Sequence, residues 1–200
     1  MKIAYLLNAF NKAKYVADAV RSMFLQKTPR VFEILLSDYS STDGTREILD
    51  ELARTYAGPH TVRRLDCPHT QLQGMPGLNA HLTWCMTQTD AELVLQLSAD
   101  DYDLAQRLEL TAAAYEEFKP SMVLCGMYYV SEDMKYLGET PWPQSDGWCK
   151  VEEIYPKFIG GSTSHAWTHE FFDKIEGLNG VGSPDVVMPL LACMDKGASY

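Results

Sequence analysis

The sequence predicts an α/β domain built on a mostly parallel sheet. Three observations carry that expectation. Apolar runs of strand length alternate with stretches of helical periodicity through residues 1–104. Two of those runs, "FEILLSD" (32–38) and "ELVLQLS" (92–98), lead straight into acidic, turn-forming segments. The chain is 200 residues long, 46% hydrophobic and 22% charged, which suits one core of ordinary size.

The elements follow in order. "KIAYLLNAFN" (2–11) reads as a buried-type strand running into a loop. "KYVADAVRSMFLQ" (14–26) puts Val16, Ala19, Val20, Met23 and Phe24 at helical spacing, and Pro29 breaks the pattern. The strand at 32–38 precedes a helix carrying Ile48, Leu49, Leu52 and Ala53 on one face, with Ser41 or Thr42 as its expected cap. "TVRRLDC" (61–67) is a weaker strand, and residues 68–77, with two Pro and two Gly, read as loop. A helix over "GLNAHLTWCMTQTD" leads to the strand at 92–98. The helix "AQRLELTAAAYEEFK" and one apolar strand, "SMVLCGMYYV" (121–130), come next. Residues 138–149 lack periodicity and read as a loop over a site. No repeat, low-complexity tract or linker divides the chain.

Composition excludes several classes. The net charge of -10, without a basic run, disfavours nucleic acid and anionic membranes as partners. The cysteines, Cys67, Cys85, Cys125, Cys149 and Cys193, form no CxxC pair, which argues against a zinc site and for thiols in a reducing cytoplasm. Peripheral attachment to a membrane stays open. No run reaches the roughly 18 apolar residues a membrane span needs.

Open parallel sheets bind ligands at the carboxyl ends of their strands, where Asp38, Asp100 and Asp101 fall. Clustered anions at such an edge repel one another. A divalent cation, Mg²⁺ or Mn²⁺, would relieve the repulsion, because hard carboxylate oxygens suit either ion and both bridge to substrate phosphates. The structural alternative is a solvated turn, with Asp103 capping the next helix.

Several motifs, in order along the chain, resemble the family-two glycosyltransferases of GT-A fold. The segment "SDYSSTDGT" (37–45) is similar to the family's acidic loop after the second strand. "SADD" (98–101) followed by Arg107-Leu108-Glu109 is similar to its D-A-D-D and R-L-E. Phe10-Asn11 stands where the family has Tyr-Asn, Asn79 matches the Asn of its A-R-N-x-G helix, and "GGSTSHAWTHEFFDKIEGLN" resembles its acceptor-side strand and turn. The resemblance spans roughly residues 2–197. It implies a Rossmann-like three-layer sandwich forming a single domain over residues 1–200. The nucleotide-binding part would occupy about 1–104 and the acceptor-side part about 105–200.

The resemblance also implies roles. Asn8, Ala9, Phe10, Asn11, Asp38, Tyr39, Asn79, Ser98 and Asp100 would bind a nucleotide-sugar donor, and Asp101 with Asp100 would hold Mn²⁺ or Mg²⁺. Asp185, ahead of the helix in "GSPDVVMPLLACMDKG", would be the general base of an inverting reaction, as an alternative to a plain helix cap. His165 is a second titratable candidate on the acceptor side. A UDP-sugar is the expected donor, with a carbohydrate, lipid-linked or protein acceptor.

Four departures matter. Tyr39, Ser98 and Pro184 stand where the family has acids, and Leu78 where it has Arg. Tyr39 puts the uracil preference in question, and Ser98 leaves open which aspartate takes the metal. The chain stops at Tyr200, soon after the base helix, so truncation of a longer protein is expected. Two other readings remain: a nucleotidyltransferase, which the Gly-free loop "NAFNKAKY" disfavours, and a non-catalytic sugar-nucleotide or protein-binding domain.

Overall fold

The computed structural model describes residues 1–68, 74–140, 147–154, 162–178 and 182–199. The first half alternates β1 (Ile3–Ala9), α1 (Val16–Phe24), β2 (Glu33–Asp38), α2 (Thr45–Thr55), β3 (Thr61–Asp66), α3 (Gly74–Met86) and β4 (Leu93–Ser98). Then come α4 (Arg107–Phe118), β5 (Met122–Leu124) and a hairpin of β6 (Tyr128–Val130) and β7 (Tyr136–Glu139). The remaining elements are β8 (Trp148–Cys149), α5 (Val151–Ile154), a 3-10 turn at Ser162–Ser164, β9 (His165–Thr168), α6 (His169–Lys174), α7 (Pro184–Met194) and β10 (Ala198–Ser199).

Eight strands form one sheet in the order β3-β2-β1-β4-β9-β5-β10-β8. β1 to β4 all run parallel. β9 is inserted antiparallel between β4 and β5. β5 therefore points the same way as β1, β2 and β4, and its end opens on the same edge of the sheet.

Side-chain alternation builds the layers, because successive residues of a strand face opposite sides. Tyr5, Leu7, Ile34, Leu36, Leu95 and Leu97 pack with α1, α2 and α4 through Val20, Met23, Leu49 and Leu108. Leu6, Leu35, Val94 and Trp167 pack on the other face with α3, α6 and α7 through Leu82, Phe171 and Met188. Both faces are covered, so the strands read as near-continuous apolar runs. The expected three-layer α/β architecture is present.

Local details differ from the sequence expectation. α2 is capped by neither Ser41 nor Thr42; Gly44 occupies the N-cap at φ 94°, a left-handed conformation open to glycine. Asp103 does not cap α4, whose N-cap is Gln106. Residues 74–77 belong to the first turn of α3, where Pro76 needs no amide partner. The apolar run 121–130 splits in two. Its first part pairs with β9 and its last part with β7, a change of partner that periodicity does not register. The 138–149 loop includes parts of β7 and β8, and its residues 141–146 lie outside the described residues.

Leu95 is fully buried in the layer between the sheet and α1, α2 and α4. Leu95→Ala should lower stability by about 2–5 kcal/mol through lost transfer energy and a residual cavity. Leu110→Ala, on the 67%-exposed outer face of α4, should change it by less than about 0.5 kcal/mol. Urea unfolding of the two variants checks the contrast.

Candidate functional site at the carboxyl edge of the sheet

The parallel register fixes which residues meet. Asn8 lies opposite both Ser37 and Ser98, and Ala9 opposite Asp38. The ends of β1, β2 and β4 thus reach the edge together, bringing Asn8 to Asn11, Asp38, Tyr39 and Ser98 to Asp101 into one region. The Tyr39 amide donates to Ala9 O at 2.8 Å and the Ala99 amide to Asn8 O at 3.1 Å, which carries the alignment one residue past the strands.

The loops after β1 and β2 brace each other. Asn11 adopts a left-handed φ of 51°, and its side-chain oxygen accepts from the Thr42 amide at 2.9 Å. The Asn11 amide donates to Ser41 Oγ at 2.8 Å, the Lys12 amide to Thr45 Oγ1 at 2.7 Å, and the Ala13 amide to Asp43 Oδ2 at 3.0 Å. Asn11, Ser41 and Asp43 therefore hold the loop in shape. Asp43 also ties this brace to the start of α2, its Oδ1 accepting from the Thr45 amide at 3.1 Å.

Asp38 is the buried acid of the site, at 1% exposure. Its Oδ2 accepts from the Ser41 amide at 3.1 Å and faces Arg46 Nε at 3.5 Å. Its Oδ1 is buried without a hydrogen-bond partner among the described residues. An unmet buried carboxylate oxygen is costly and calls for a donor from outside. Beside it, the Tyr39 ring stacks on His81 at 5.0 Å and meets Phe10 edge-on at 6.1 Å. His81 Nε2 is 2.6 Å from Ser37 Oγ, tying α3 to the end of β2. Burial pushes the Tyr39 phenol above its ordinary pKa, so it stays neutral. Phe10 is 55% exposed and offers an open aromatic face.

At the end of β4, Asp100 and Asp101 are both exposed. Lys12 Nζ reaches Asp100 Oδ2 at 2.5 Å. The Asp101 carboxyl is pushed up, first by the protein packed around it and then by the charge of Asp100, while a hydrogen bond with Thr163 works the other way. Solvent still reaches Asp101; the Arg107 and Lys12 charges favour its ionised form, yet burial and the charge of Asp100 outweigh them. That donor set fits a divalent ion that keeps waters and takes one or two carboxylates plus phosphate oxygens. Among the described residues no group of three His, Cys, Asp or Glu forms a protein-only metal cage.

The 3-10 turn before β9 closes the edge on the other side. Thr163 Oγ1 accepts from the Ser98 amide at 3.3 Å. Beneath it, Arg107 is buried and clasps Asp103 at 2.7 and 2.9 Å while donating to His165 O at 3.2 Å. The Arg and the acid of this segment thus lock β9 against the start of α4.

The remaining expected residues fall as follows. Asn8 accepts from Gln96 Nε2 at 3.0 Å through its side-chain oxygen. Asn79 is nearly buried on α3 and reaches Gly182 O at 3.4 Å, which links α3 to the segment leading into α7. Asp185 sits in the first turn of α7, after Ser183 and Pro184. His165 is completely buried, and burial, with the Arg107 charge adding, pushes its imidazole down to about 3. It is neutral at physiological pH and out of reach of solvent in this conformation. Lys12, Arg46 and Thr163 were not singled out from the sequence. Lys12 and Thr163 lie within two residues of ones that were, in "FNKAK" and "STSHAW". A separate pocket lined by Thr83, Met86, His169, Phe172, Asp173 and Glu176 lies at the opposite edge, where the His169 amide donates to Glu92 O just before β4.

The sequence model for glycosyl transferase family 2 matches residues 6–174. The chain belongs to that family. It is 27% identical over 131 residues to poly(ribitol-phosphate) beta-N-acetylglucosaminyltransferase TarS of Staphylococcus aureus, covering 64% of this chain and 21% of that protein. The chain therefore spans about a fifth of that relative's length. The crystal structure of S. aureus TarS 1-349 superposes with a TM-score of 0.73 at 16% identity, covering all of this chain and 57% of the other. Mannosyltransferase PcManGT from Pyrobaculum calidifontis, in complex with GDP-Man and Mn²⁺, gives 0.73 at 15% identity, covering all of this chain and 54% of the other. These likenesses establish the GT-A fold expected from the sequence. Among the described residues no helix is long and apolar enough to cross a membrane.

Arg107→Ala should leave Asp103 buried without its partner and cost about 3–5 kcal/mol. Replacing both, as Arg107→Met with Asp103→Leu, should recover most of that loss. Guanidinium unfolding of the three proteins measures it.

Proposed function

We propose that the chain is the catalytic domain of an inverting, metal-dependent glycosyltransferase, moving a sugar from a nucleotide diphosphate to an acceptor hydroxyl. The observation that carries this reading is the carboxyl edge itself. In a family-2 chain, a buried acid with one unmet oxygen, Asp38, shares an edge with an acidic pair, Asp100 and Asp101, in which the Asp101 carboxyl is pushed up. Residues of about 1–104 would hold the donor and those of about 105–200 the acceptor.

Each residue has a physical task. Asp38 accepts a hydrogen bond from the nucleoside through Oδ1, and Phe10 offers its face to the base. Tyr39 is engaged with His81 and shapes the wall behind the base. Asn8, Ala9, Ser98 and Asn79 line the floor under the diphosphate and sugar. Asp101, with Asp100, is the place for Mn²⁺ or Mg²⁺, which supplies charge neutralisation for the departing nucleotide. Lys12, paired with Asp100, would add a cation beside the diphosphate. Asp185 accepts the acceptor hydroxyl's proton as that oxygen attacks the anomeric carbon; the C–O bond to the diphosphate breaks, and the configuration inverts in a single displacement. The buried His165 is no base in this scheme.

The donor base is uracil in this reading, which draws on the family relationship and on the TarS 1-349 structure in complex with UDP. A guanine nucleotide, as in the PcManGT complex, is the competing donor. The protein is placed in the cytoplasm, where nucleotide sugars are made, with no nucleic-acid partner.

Three measurements test the reading. Asp101→Ala should remove the Mn²⁺ dependence of UDP binding and leave the fold intact. In the parent protein that Mn²⁺-dependent affinity should weaken on acidification at a pH above the ordinary carboxylate value of 3.8, because the ion must displace a proton held more tightly than usual. Asp185→Asn should slow transfer by roughly 10²- to 10⁴-fold with donor affinity unchanged. Retained anomeric configuration, or an Asn variant as fast as the parent, removes Asp185 from the mechanism.

A further inference from the structure

The β6–β7 hairpin carries an unusual surface. Tyr128 and Tyr136 are 62% and 63% exposed, and Tyr129, Met134 and Leu137 are exposed as well. A lone two-stranded hairpin is marginal in water, yet this one is well tied. Thr140 closes its base, donating its amide to Met127 O at 2.9 Å and accepting from the Met127 amide at 3.0 Å. Its tip is closed by Ser131 and Lys135, whose amide and carbonyl meet at 2.9 Å. The Tyr128 and Tyr136 rings pack edge to face at 6.1 Å on one side. On the other, Tyr129 lies opposite Gly138, where a Cβ would meet nothing within 4 Å. A rigid frame is thus holding aromatic faces in open solvent.

Its position is equally specific. β5 points with the parallel strands, so the chain leaves it at the carboxyl edge and enters the hairpin within a few residues. The tip returns to the same edge. Glu132 accepts from Tyr15 Oη and pairs with Lys14 Nζ, both at 2.9 Å. Lys12, two residues before Lys14, is the partner of Asp100. The hairpin therefore flanks the mouth of the site on the side opened by the β1 loop.

We infer that the β6–β7 hairpin is the acceptor platform, and that the acceptor is an uncharged oligosaccharide whose rings stack on Tyr128 and Tyr136, which share one face of the hairpin. This rests on the reading of function above and names its acceptor class. Aromatic rings offer apolar faces to the C–H face of a sugar at low entropic cost, and neighbouring carboxylates accept hydrogen bonds from its hydroxyls. Charge selects among occupants. At the hairpin, Lys14 pairs with Glu132 and Lys135 with Asp133, which leaves Glu139 in excess on a chain of net charge -10. Such a surface repels an anionic lipid headgroup and a polyphosphate chain. The poly(ribitol-phosphate) in the name of the S. aureus relative is therefore a poor fit for this hairpin.

The test compares the parent with a Tyr128→Ala/Tyr136→Ala variant, whose changes lie on the exposed face and spare the core. Binding of chitotetraose, cellotetraose and maltotetraose is measured by titration calorimetry in the presence of UDP and Mn²⁺, beside flotation with phosphatidylglycerol vesicles. The expected result is parent binding to at least one tetrasaccharide, weakened about tenfold or more in the variant, as lost stacking on two rings implies. UDP affinity and thermal midpoint should be unchanged. The inference is overturned if the parent binds none of the three at about 10 mM, a very weak affinity limit. It is equally overturned if the variant binds as the parent does, or if the tyrosines govern vesicle binding instead. A parent that binds UDP but no sugar sinks this inference alone, whereas one that binds neither UDP nor GDP sinks the functional reading with it.

Discussion

The structure depends on one electrostatic constraint: several carboxylates gathered at the carboxyl edge of a parallel sheet. Carboxylates in a partly desolvated place beside like charges resist ionisation, and the Asp101 carboxyl is pushed up first by that burial and then by the charge of Asp100. The fold offsets it piecemeal. Lys12 answers Asp100, Arg46 and the Ser41 amide answer one oxygen of Asp38, and Arg107 answers Asp103. The partial neutralisation leaves one oxygen of Asp38 without a partner among the described residues, and Asp101 still pushed up despite the hydrogen bond with Thr163 and the charges of Arg107 and Lys12. That residue of unmet charge and hydrogen bonding is the physical content of the site, and the rest of the domain can be read as the means of holding it in place.

The holding is done by register and by cross-bracing. β1, β2 and β4 are paired residue by residue up to their last positions, so their ends cannot drift relative to one another without breaking backbone hydrogen bonds. The two loops beyond β1 and β2 then bond to each other through Asn11, Ser41, Asp43 and Thr45. A ligand arriving at this edge meets loops already ordered, which lowers the entropic cost of binding.

Much of this was legible in the sequence. The strand–helix alternation gave the architecture because strands buried on both faces must be apolar throughout, and "IAYLLNA", "EILLSD" and "LVLQLS" are. The acidic ends stood out because charge next to such runs is improbable without a use. Partners in space were not legible. The Asn11 side-chain oxygen serves the brace to Thr42, a residue 31 positions away. The complete burial of His165 also follows from tertiary packing that no local pattern records. Lys12 gave no signal beyond being a lysine in a loop, since only the fold brings it to a residue 88 positions away. The run 121–130 read as one strand because periodicity records burial and spacing but not a change of pairing partner.

The central claim is that the carboxyl edge binds a nucleotide diphosphate with a divalent ion. A crystal structure of the protein grown with UDP and Mn²⁺ tests it most directly. The account predicts the ion within coordination distance of an Asp101 carboxylate oxygen and a diphosphate oxygen. It also predicts the nucleoside within hydrogen-bond reach of Asp38 Oδ1, with the base against Phe10. Nucleotide bound elsewhere, as in the pocket beside His169 and Phe172 at the opposite edge, or an ion that ignores both Asp100 and Asp101, would contradict it.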